Sequence, residues 1–251
     1  MRPVALVTGG AVRVGRAICQ SLAAAGYRVW IHHHRSSAAA AELAAALGPA
    51  SLGTPRHDLA DEPARAALVA AVTDPLGPAA GRLDLLVNSA ASFERGDFAA
   101  RGDADLRRVL EVNLVAPISL ARGLAPALAP AAGSIVNIVD VAGYQPWRGY
   151  LDHCTAKAAL AMATRALALE LAPAVRVNGV APGTVAWPED DRFAPGSPTR
   201  AAVLRAIPLQ RIGEPADIAR TVVFLAQSPF ITGQTIAVDG GRTAASAPEV
   251  R

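Results

Sequence analysis

Short apolar runs alternate with alanine-rich stretches of helical periodicity along almost the whole chain. The apolar runs have the length of buried strands, whereas the periodic stretches between them have the length of helices. The predicted strands cover residues 4–7, 28–33, a weak segment ending near 57, 83–87, 134–139, 176–180 and 235–238. The predicted helices cover residues 14–25, 38–47, 62–72, 105–128, 153–171 and 216–226. This alternation predicts an α/β fold with a Rossmann-type, doubly wound parallel sheet of about seven strands.

One region departs from the alternation. The stretch after the sixth predicted strand has no clear period and is punctuated by Pro182, Pro188, Pro195 and Pro198. A long loop beside the active end of a sheet is a candidate lid over a substrate. Because the chain contains no linker, low-complexity tract or internal repeat, residues 1–251 are predicted to form a single domain.

The composition is typical of a soluble metabolic enzyme. Hydrophobic residues make up 52% of the 251 residues, which is enough for a large core. The formal net charge is only +3 and the arginines are scattered, which argues against nucleic-acid binding. Cys19 and Cys154 both fall in helical patterns and do not make a disulfide framework. We therefore expect a cytoplasmic protein without a secretion signal or a membrane span.

A glycine-rich turn joins the first predicted strand to the first predicted helix, between Thr8 and Gly15. Glycines in such a turn allow positive φ and let a pyrophosphate approach the helix N-terminus, where free N–H groups favour an anion. The turn therefore predicts a dinucleotide site. The contacts expected from it are those of Gly9, Arg13, Val14 and Gly15.

The end of the second predicted strand indicates which dinucleotide is bound. An unphosphorylated ribose usually requires an acidic residue there, but the chain reads His32-His33-His34-Arg35-Ser36, with no acid until Glu42. This favours the 2′-phosphate of NADP(H), with His34, Arg35 and Ser36 as contacts. A metal site is not predicted, because consecutive strand residues point to opposite faces and no cysteine or acid cluster accompanies the histidines.

Lys157 is the only lysine among the 24 basic residues. It lies four residues after His153, and Asp140 stands thirteen residues before that histidine, at the end of a predicted strand. Open α/β sheets place their chemistry at such strand ends. A compact ammonium can reach two vicinal hydroxyl groups in a way that a guanidinium cannot. We therefore predict that Asp140, His153 and Lys157 are catalytic.

These motifs, taken together, resemble the short-chain dehydrogenase/reductase family over roughly residues 4–241. The glycine turn matches the family's TGxxxGxG pattern, except that Arg13 replaces the middle glycine. Further matches are Asp58 after the third strand, Asn88-Ser89-Ala90-Ala91 for the family's NNAG, Asn113 in a helix, Pro182-Gly183 and Val238-Asp239-Gly240-Gly241. The resemblance implies that Asn113 belongs to a proton relay. It implies further cofactor contacts from Asp58, Asn88, Ala90, Lys157, Pro182 and Gly183.

Within that family the chain is similar to the pteridine reductases. The similarity rests on Arg13, on the run His34-Arg35-Ser36, on Phe93 after the fourth strand, and on Asp140 where other members carry serine. In this branch the phenylalanine stacks a pterin ring against the nicotinamide. The resemblance therefore implies NADPH-dependent reduction of a C=N bond in a dihydropteridine-like substrate. Its expected contacts are Arg13, Phe93, Asp140, Tyr150 and Trp187.

The chain departs from the family where the catalytic tyrosine is expected. The family's YxxxK reads His153-Cys154-Thr155-Ala156-Lys157 here, and Tyr150 stands about one helical turn away. An imidazolium is a stronger acid than a phenol, so a proton relay through Asp140, His153 and water is expected to protonate an imine nitrogen. Two alternatives remain open: a reductase of another imine or of a ketone in secondary metabolism, and a non-catalytic NADP-binding protein.

The partners expected from the sequence are a heteroaromatic or imine small molecule and further copies of the chain. The predicted helix 153–171 carries more alanine and leucine than one side of a sheet needs. Related enzymes pair such helices across two-fold axes, so a homotetramer is expected.

Overall fold

The computed structural model of the protein describes residues 2–187 and 190–245. Seven strands form one sheet in the order β3-β2-β1-β4-β5-β6-β7, and every neighbouring pair is parallel. The strands are β1 Val4–Thr8, β2 Arg28–Ile31, β3 Ser51–Gly53, β4 Leu85–Asn88, β5 Ser134–Ile138, β6 Arg176–Pro182 and β7 Thr235–Val238. The sheet order reverses direction between β1 and β4, so the predicted doubly wound fold is confirmed.

Helices cover both faces of the sheet. They are α1 Arg13–Ala24, α2 Ser37–Leu47, α3 Glu62–Thr73, α4 Asp103–Leu110, α5 Ala116–Leu128, α6 Leu151–Leu171, α7 Pro198–Arg205 and α8 Pro215–Gln227. On one face Ile18, Leu43 and Val222 pack a core from α1, α2 and α8. On the other face Leu68 and Leu124 pack a second core beneath α3 and α5. Strands buried on both sides explain the continuous apolar runs of the sequence.

The strands on the β2 side end earlier than the apolar pattern predicted. β2 ends at Ile31 rather than at residue 33, and β3 ends at Gly53 rather than near residue 57. The register shifts between Val29 and Trp30, and Gly53 has φ +132°. His33 and Arg56 still pair through one isolated parallel bridge, so the two chain segments remain side by side beyond the strands.

A π-helical turn, Glu111–Val115, interrupts the long helix that was predicted over residues 105–128. An α-helix would need an N–H group at residue 117 to bond the carbonyl of Asn113, and Pro117 has none. Single π turns of this kind occur frequently at functional sites. Asn113, a predicted site residue, lies within this one.

A helix forms in the proline-rich region for which no period was recognised. Ser197 precedes α7, and its side chain accepts a hydrogen bond from the backbone N–H of Arg200, while Pro198 occupies the first turn. A serine cap followed by proline is a helix start signal that the sequence analysis missed. Residues 188 and 189 of the predicted lid, including Pro188, lie outside the described residues.

One helical segment, Asp103–Ala131, is long and apolar enough by composition to cross a membrane. The core helices of soluble proteins pass the same test. Leu120, Leu124 and Leu128 of this segment are fully buried in the core beneath the sheet. The segment is therefore placed as a core helix in this fold.

The outer face of α6 predicts self-association. Leu151, Met162 and Leu169 lie on it with exposed fractions of 52%, 60% and 83%. Their spacing forms one apolar stripe, which a symmetric partner would cover. We expect a homotetramer in light scattering, and we expect Leu169→Glu to lower the mass because charges from symmetric copies would repel. Leu76→Glu, at a loop residue 93% exposed, is the control. A monomeric wild-type protein at micromolar concentration would contradict the prediction.

Candidate active site

A cavity of about 600 Å³ opens at the carboxyl ends of the central strands. The parallel arrangement brings together the glycine turn after β1, the loop after β4, Asp140 after β5 and Gly183 after β6. Among the predicted residues, those lining the cavity are Gly9, Arg13, Val14, Gly15, Ala90, Phe93, Asp140, Tyr150, His153, Lys157, Pro182 and Gly183. Residues distant in the sequence therefore converge on one site, as the strand-end rule predicted.

The glycine turn forms a cradle that side chains would fill. A Cβ atom on Gly9 would lie 2.9 Å from the Cα of Ala90, and one on Gly15 would lie 2.1 Å from the carbonyl oxygen of Gly9. Gly9 also has φ +62°. The close backbone packing and the start of α1 fit a pyrophosphate group. Arg13, in place of a glycine, has the left-handed φ of +50° and keeps its side chain on the cavity wall.

His32 ties this turn to the chain that follows β3. Its Nδ1 accepts a hydrogen bond from the backbone N–H of Gly9 at 3.2 Å, and its Nε2 lies 3.1 Å from the carbonyl oxygen of His57. The first contact requires a lone pair and the second a proton, so the imidazole is neutral. Burial accordingly lowers the pKa of His32 to about 4. The histidine serves as a structural bridge.

The other predicted contacts at the end of β2 lie at the surface. Arg35 is exposed, Ser36 is half-buried, and the His34 Nδ1 lies 3.7 Å from an Asp58 carboxylate oxygen. Within the described residues, no group of three histidine, cysteine or acidic side chains is arranged to hold a metal ion. The consecutive histidines therefore have different structural roles. His32 supports the turn, and His34 faces Asp58.

Sequence reasoning missed Arg56 at this end of the site. Its Nε donates a hydrogen bond to the carbonyl oxygen of His34 at 3.2 Å, and its side chain is exposed. Arg35 and Arg56 form no ion pair with an acid among the described residues. The adjacency of β2 and β3 in a parallel sheet was the only signal for this contact, because it places the two strand ends at one edge.

The loop after β4 is pinned to the glycine turn. The Thr8 Oγ accepts hydrogen bonds from the backbone N–H groups of Ser89 and Ala90 at 3.0 and 3.1 Å. Asn88 turns away from the cavity and donates to Asn137 Oδ1 at 2.8 Å, while its own Oδ1 is buried without a protein partner. Ala90 thus lines the cavity, and Asn88 supports it from behind.

His153 is held through both ring nitrogens. Its Nδ1 lies 3.2 Å from the carbonyl oxygen of Ser92, and its Nε2 lies 3.2 Å from an Asp140 carboxylate oxygen. A carbonyl only accepts, so Nδ1 must carry a proton. A lone pair on Nε2 would then face a carboxylate oxygen, so the contact requires a second proton between Nε2 and Asp140. The pair is therefore a single proton-holding unit.

The two side chains of this pair differ in solvent exposure. The His153 side chain is 3% exposed, whereas that of Asp140 is 21% exposed. Asp140 is itself fixed, since its Oδ1 accepts a hydrogen bond from the Ala142 N–H at 2.8 Å. A molecule in the cavity therefore reaches the proton more easily on the Asp140 side.

Lys157 lies beneath this pair. Its Nζ donates a hydrogen bond to the carbonyl oxygen of Ile138 at 2.7 Å. Burial lowers the pKa of Lys157 to about 8, although the charge of Asp140 acts in the opposite direction. The solitary lysine of the sequence thus lines the cavity near Asp140, whose charge opposes the effect of burial on its pKa.

Asn113 does not line the cavity. It is fully buried, its Nδ2 donates to the Ser92 carbonyl oxygen at 2.8 Å, and its Oδ1 accepts from the Ser92 N–H at 3.2 Å. Both ends of the amide are therefore engaged with one backbone unit. The same carbonyl receives His153, so Asn113 positions the histidine through Ser92.

Aromatic rings surround one side of the cavity. Phe93 stacks on Tyr150 with centroids 4.7 Å apart, and it meets the edge of His153 at 4.8 Å and of Trp147 at 6.4 Å. Phe93 remains 49% exposed, so part of its ring is open to the cavity. Trp147, which sequence reasoning missed, lies in the segment just before α6 and contributes to the same wall.

Trp187, a predicted substrate contact, lies elsewhere. It lines a neighbouring cavity of about 480 Å³, together with Arg200. Its ring packs 6.1 Å from that of Phe193, which lines the main cavity in its place. Nothing in the sequence distinguished these two aromatic residues of the same loop.

Comparisons with known proteins show which proteins this chain resembles. A family model described as enoyl-(acyl carrier protein) reductase matches residues 10–243. Pteridine reductase 1 of Leishmania tarentolae is 37% identical, with 95% of this chain and 96% of that protein covered. The granaticin polyketide synthase putative ketoacyl reductase 2 of Streptomyces violaceoruber is 36% identical, with 95% of each covered.

A solved structure is also similar, that of FolM alternative dihydrofolate reductase 1 from Brucella canis complexed with NADP. It superposes with a TM-score of 0.85 at 35% sequence identity, covering 99% of this chain and 97% of that one.

Proposed function

The chain belongs to the short-chain dehydrogenase/reductase family, and on this basis we propose that it reduces a C=N bond of a dihydropteridine-like substrate with NADPH. One observation carries the proposal: the half-exposed Phe93 ring shares a cavity with the glycine turn and with the proton-holding pair of Asp140 and His153. That arrangement suits a flat ring lying beside a dinucleotide. The similarity to a pteridine reductase and to an alternative dihydrofolate reductase supports it.

The cofactor is NADP(H), which supplies a hydride when bound. The cradle around Gly9 and Gly15 suits its pyrophosphate, and Lys157, which lines the same cavity, would bind ribose hydroxyl groups. The 2′-phosphate would meet Arg35 and Ser36, with His34 beside them. Charge-assisted hydrogen bonds from a guanidinium give such a contact its strength.

The substrate would lie on Phe93, with Arg13 and Asp140 as its polar contacts. Tyr150 stacks on Phe93 and extends the aromatic surface. The proton would leave from Asp140, the more exposed member of the pair, while His153 retains its hydrogen bond to Ser92. An imine nitrogen needs less assistance than a ketone oxygen, whose developing negative charge requires a strong donor.

Ketone reduction is the second candidate. The granaticin ketoacyl reductase is nearly as similar to this chain as the pteridine reductase is, at 36% against 37% identity. The two candidates differ in what should lie on Phe93: a flat heteroaromatic ring in the first and a flexible ketone chain in the second.

The proposed reaction is tested by mixing the NADPH complex with dihydropterins and with small β-ketoesters, and following single-turnover oxidation of the cofactor. We expect oxidation with the dihydropterins. Phe93→Ala should weaken their binding by on the order of 1 kcal/mol or more, because a ring-stacking surface is lost. Phe98→Ala is the matched control, since Phe98 is 79% exposed and lies outside the cavity. Oxidation by the ketones alone would favour the second candidate.

Cofactor preference provides a separate prediction. NADPH should bind at least about tenfold more tightly than NADH, because each charge-assisted contact to the phosphate contributes roughly 1.5–3 kcal/mol. Arg35→Ala should remove most of this preference while changing NADH affinity little. Arg28→Ala, at the opposite end of β2, should leave both affinities unchanged. Equal affinities of the wild-type protein for NADPH and NADH, measured by titration, would refute the assignment.

The role of His153 yields a prediction on turnover. Removing the imidazole should reduce kcat by roughly 10²-fold in His153→Ala, because Asp140 loses its partner for the shared proton. The decisive comparison is with His153→Phe, which keeps a ring but no nitrogen. Full activity of both variants would mean that the proton comes from another group.

A further inference from the structure

One cation on the cavity wall has no part in the proposed reaction. The charged side chains that line the cavity in the described part of the chain are Arg13, Asp140, Lys157 and Arg242. Arg13 belongs to the glycine turn, Asp140 belongs to the proton-holding pair, and Lys157 lies near that pair. Arg242 follows β7, on the side of the cavity formed by the end of the described chain.

The turn that carries Arg242 is built rigidly. The Asp239 carboxylate accepts hydrogen bonds from the Gly241 N–H at 2.8 Å and from the N–H and hydroxyl of Thr243 at 2.7 Å each. The carbonyl oxygen of Arg242 accepts from Gln145 Nε2 at 3.4 Å. Because the nearby acid Asp239 is engaged by the backbone, it organises the turn and does not neutralise Arg242.

The guanidinium of Arg242 lies over an aromatic ring. Its Cζ is 5.2 Å from the centroid of Trp147, and Trp147 in turn meets Phe93 edge-on at 6.4 Å. A guanidinium held over an aromatic ring by a cation–π contact keeps N–H donors that can bind a ligand. Arg242 makes no ion pair with any acid among the residues that the structure describes. Within the described residues, the Arg242 guanidinium is therefore not neutralised by an acid, and it stands one aromatic ring away from the proposed ring platform.

We propose that Arg242 binds a carboxylate on the side chain of the substrate, so that the protein prefers a reduced pteridine with an acidic tail over one with a neutral tail. This inference rests on the proposed function. A planar carboxylate matches the fork of a guanidinium in a bidentate pair. The face of Trp147 beside it suits an aromatic or apolar spacer between the ring and the acid.

The test compares two substrates that share a ring and differ in the tail. Dihydropteroate ends in a benzoate, whereas dihydrobiopterin carries a neutral hydroxylated chain. Arg242→Gln should raise KM for dihydropteroate about tenfold, the effect of losing one charge-assisted contact, and change KM for dihydrobiopterin less than about twofold. Arg242→Lys should restore part of the loss. Arg148→Gln, at an exposed arginine that does not line the cavity, is the matched control.

A binding measurement gives the same comparison without turnover. Methotrexate has an acidic tail, and a diaminopteridine with a hydroxymethyl tail does not. Arg242→Gln should weaken binding of methotrexate to the NADPH complex about tenfold and leave the neutral compound unaffected. Equal weakening of both would mean that Arg242 only supports Trp147, and no weakening would mean that the tail lies elsewhere. Either result overturns the inference.

The failure of this inference is distinguishable from failure of the proposed function. If the wild-type protein binds no pteridine at all, the proposed function falls and the inference falls with it. If the wild-type protein binds both pteridines and Arg242→Gln leaves the preference between them unchanged, only the inference is overturned.

Discussion

The close approach of the glycine turn to the loop after β4 is the constraint on which the site depends. Gly9 has no side chain because its Cβ would meet the backbone of Ala90, and Thr8 binds two backbone N–H groups of the same loop. The same loop contains Ser92, whose backbone carbonyl oxygen contacts the side chains of both Asn113 and His153. The dinucleotide side and the proton-transfer side of the cavity are thereby joined through a few hydrogen bonds.

We propose that His153 takes the place of the family's catalytic tyrosine, which would change how a proton is held. A phenol offers one O–H group, whereas an imidazole offers two nitrogens at fixed angles. In this chain one nitrogen of His153 anchors the ring on Ser92 and the other contacts Asp140. The acid therefore belongs to a pair of residues.

The sequence predicted those features that arise from local pattern and from strand ends. Alternation predicted the sheet, and the strand-end rule brought Asp140, His153 and Lys157 into one cavity. The π turn at Asn113 was missed because Pro117, which removes one α-helical hydrogen bond there, lies inside an otherwise continuous helical period. Arg242 and its contact with Trp147 escaped because that contact joins segments nearly one hundred positions apart.

Arg13 retains a backbone conformation that costs free energy for any residue but glycine. The family's usual glycine would relieve that cost and remove the cation from the cavity wall. At this position glycine would increase thermal stability, whereas arginine provides the cation of the cavity. Variants selected only for heat resistance would therefore tend to carry glycine at this site. Thermal selection alone would erase a cation of the cavity wall while the fold improved.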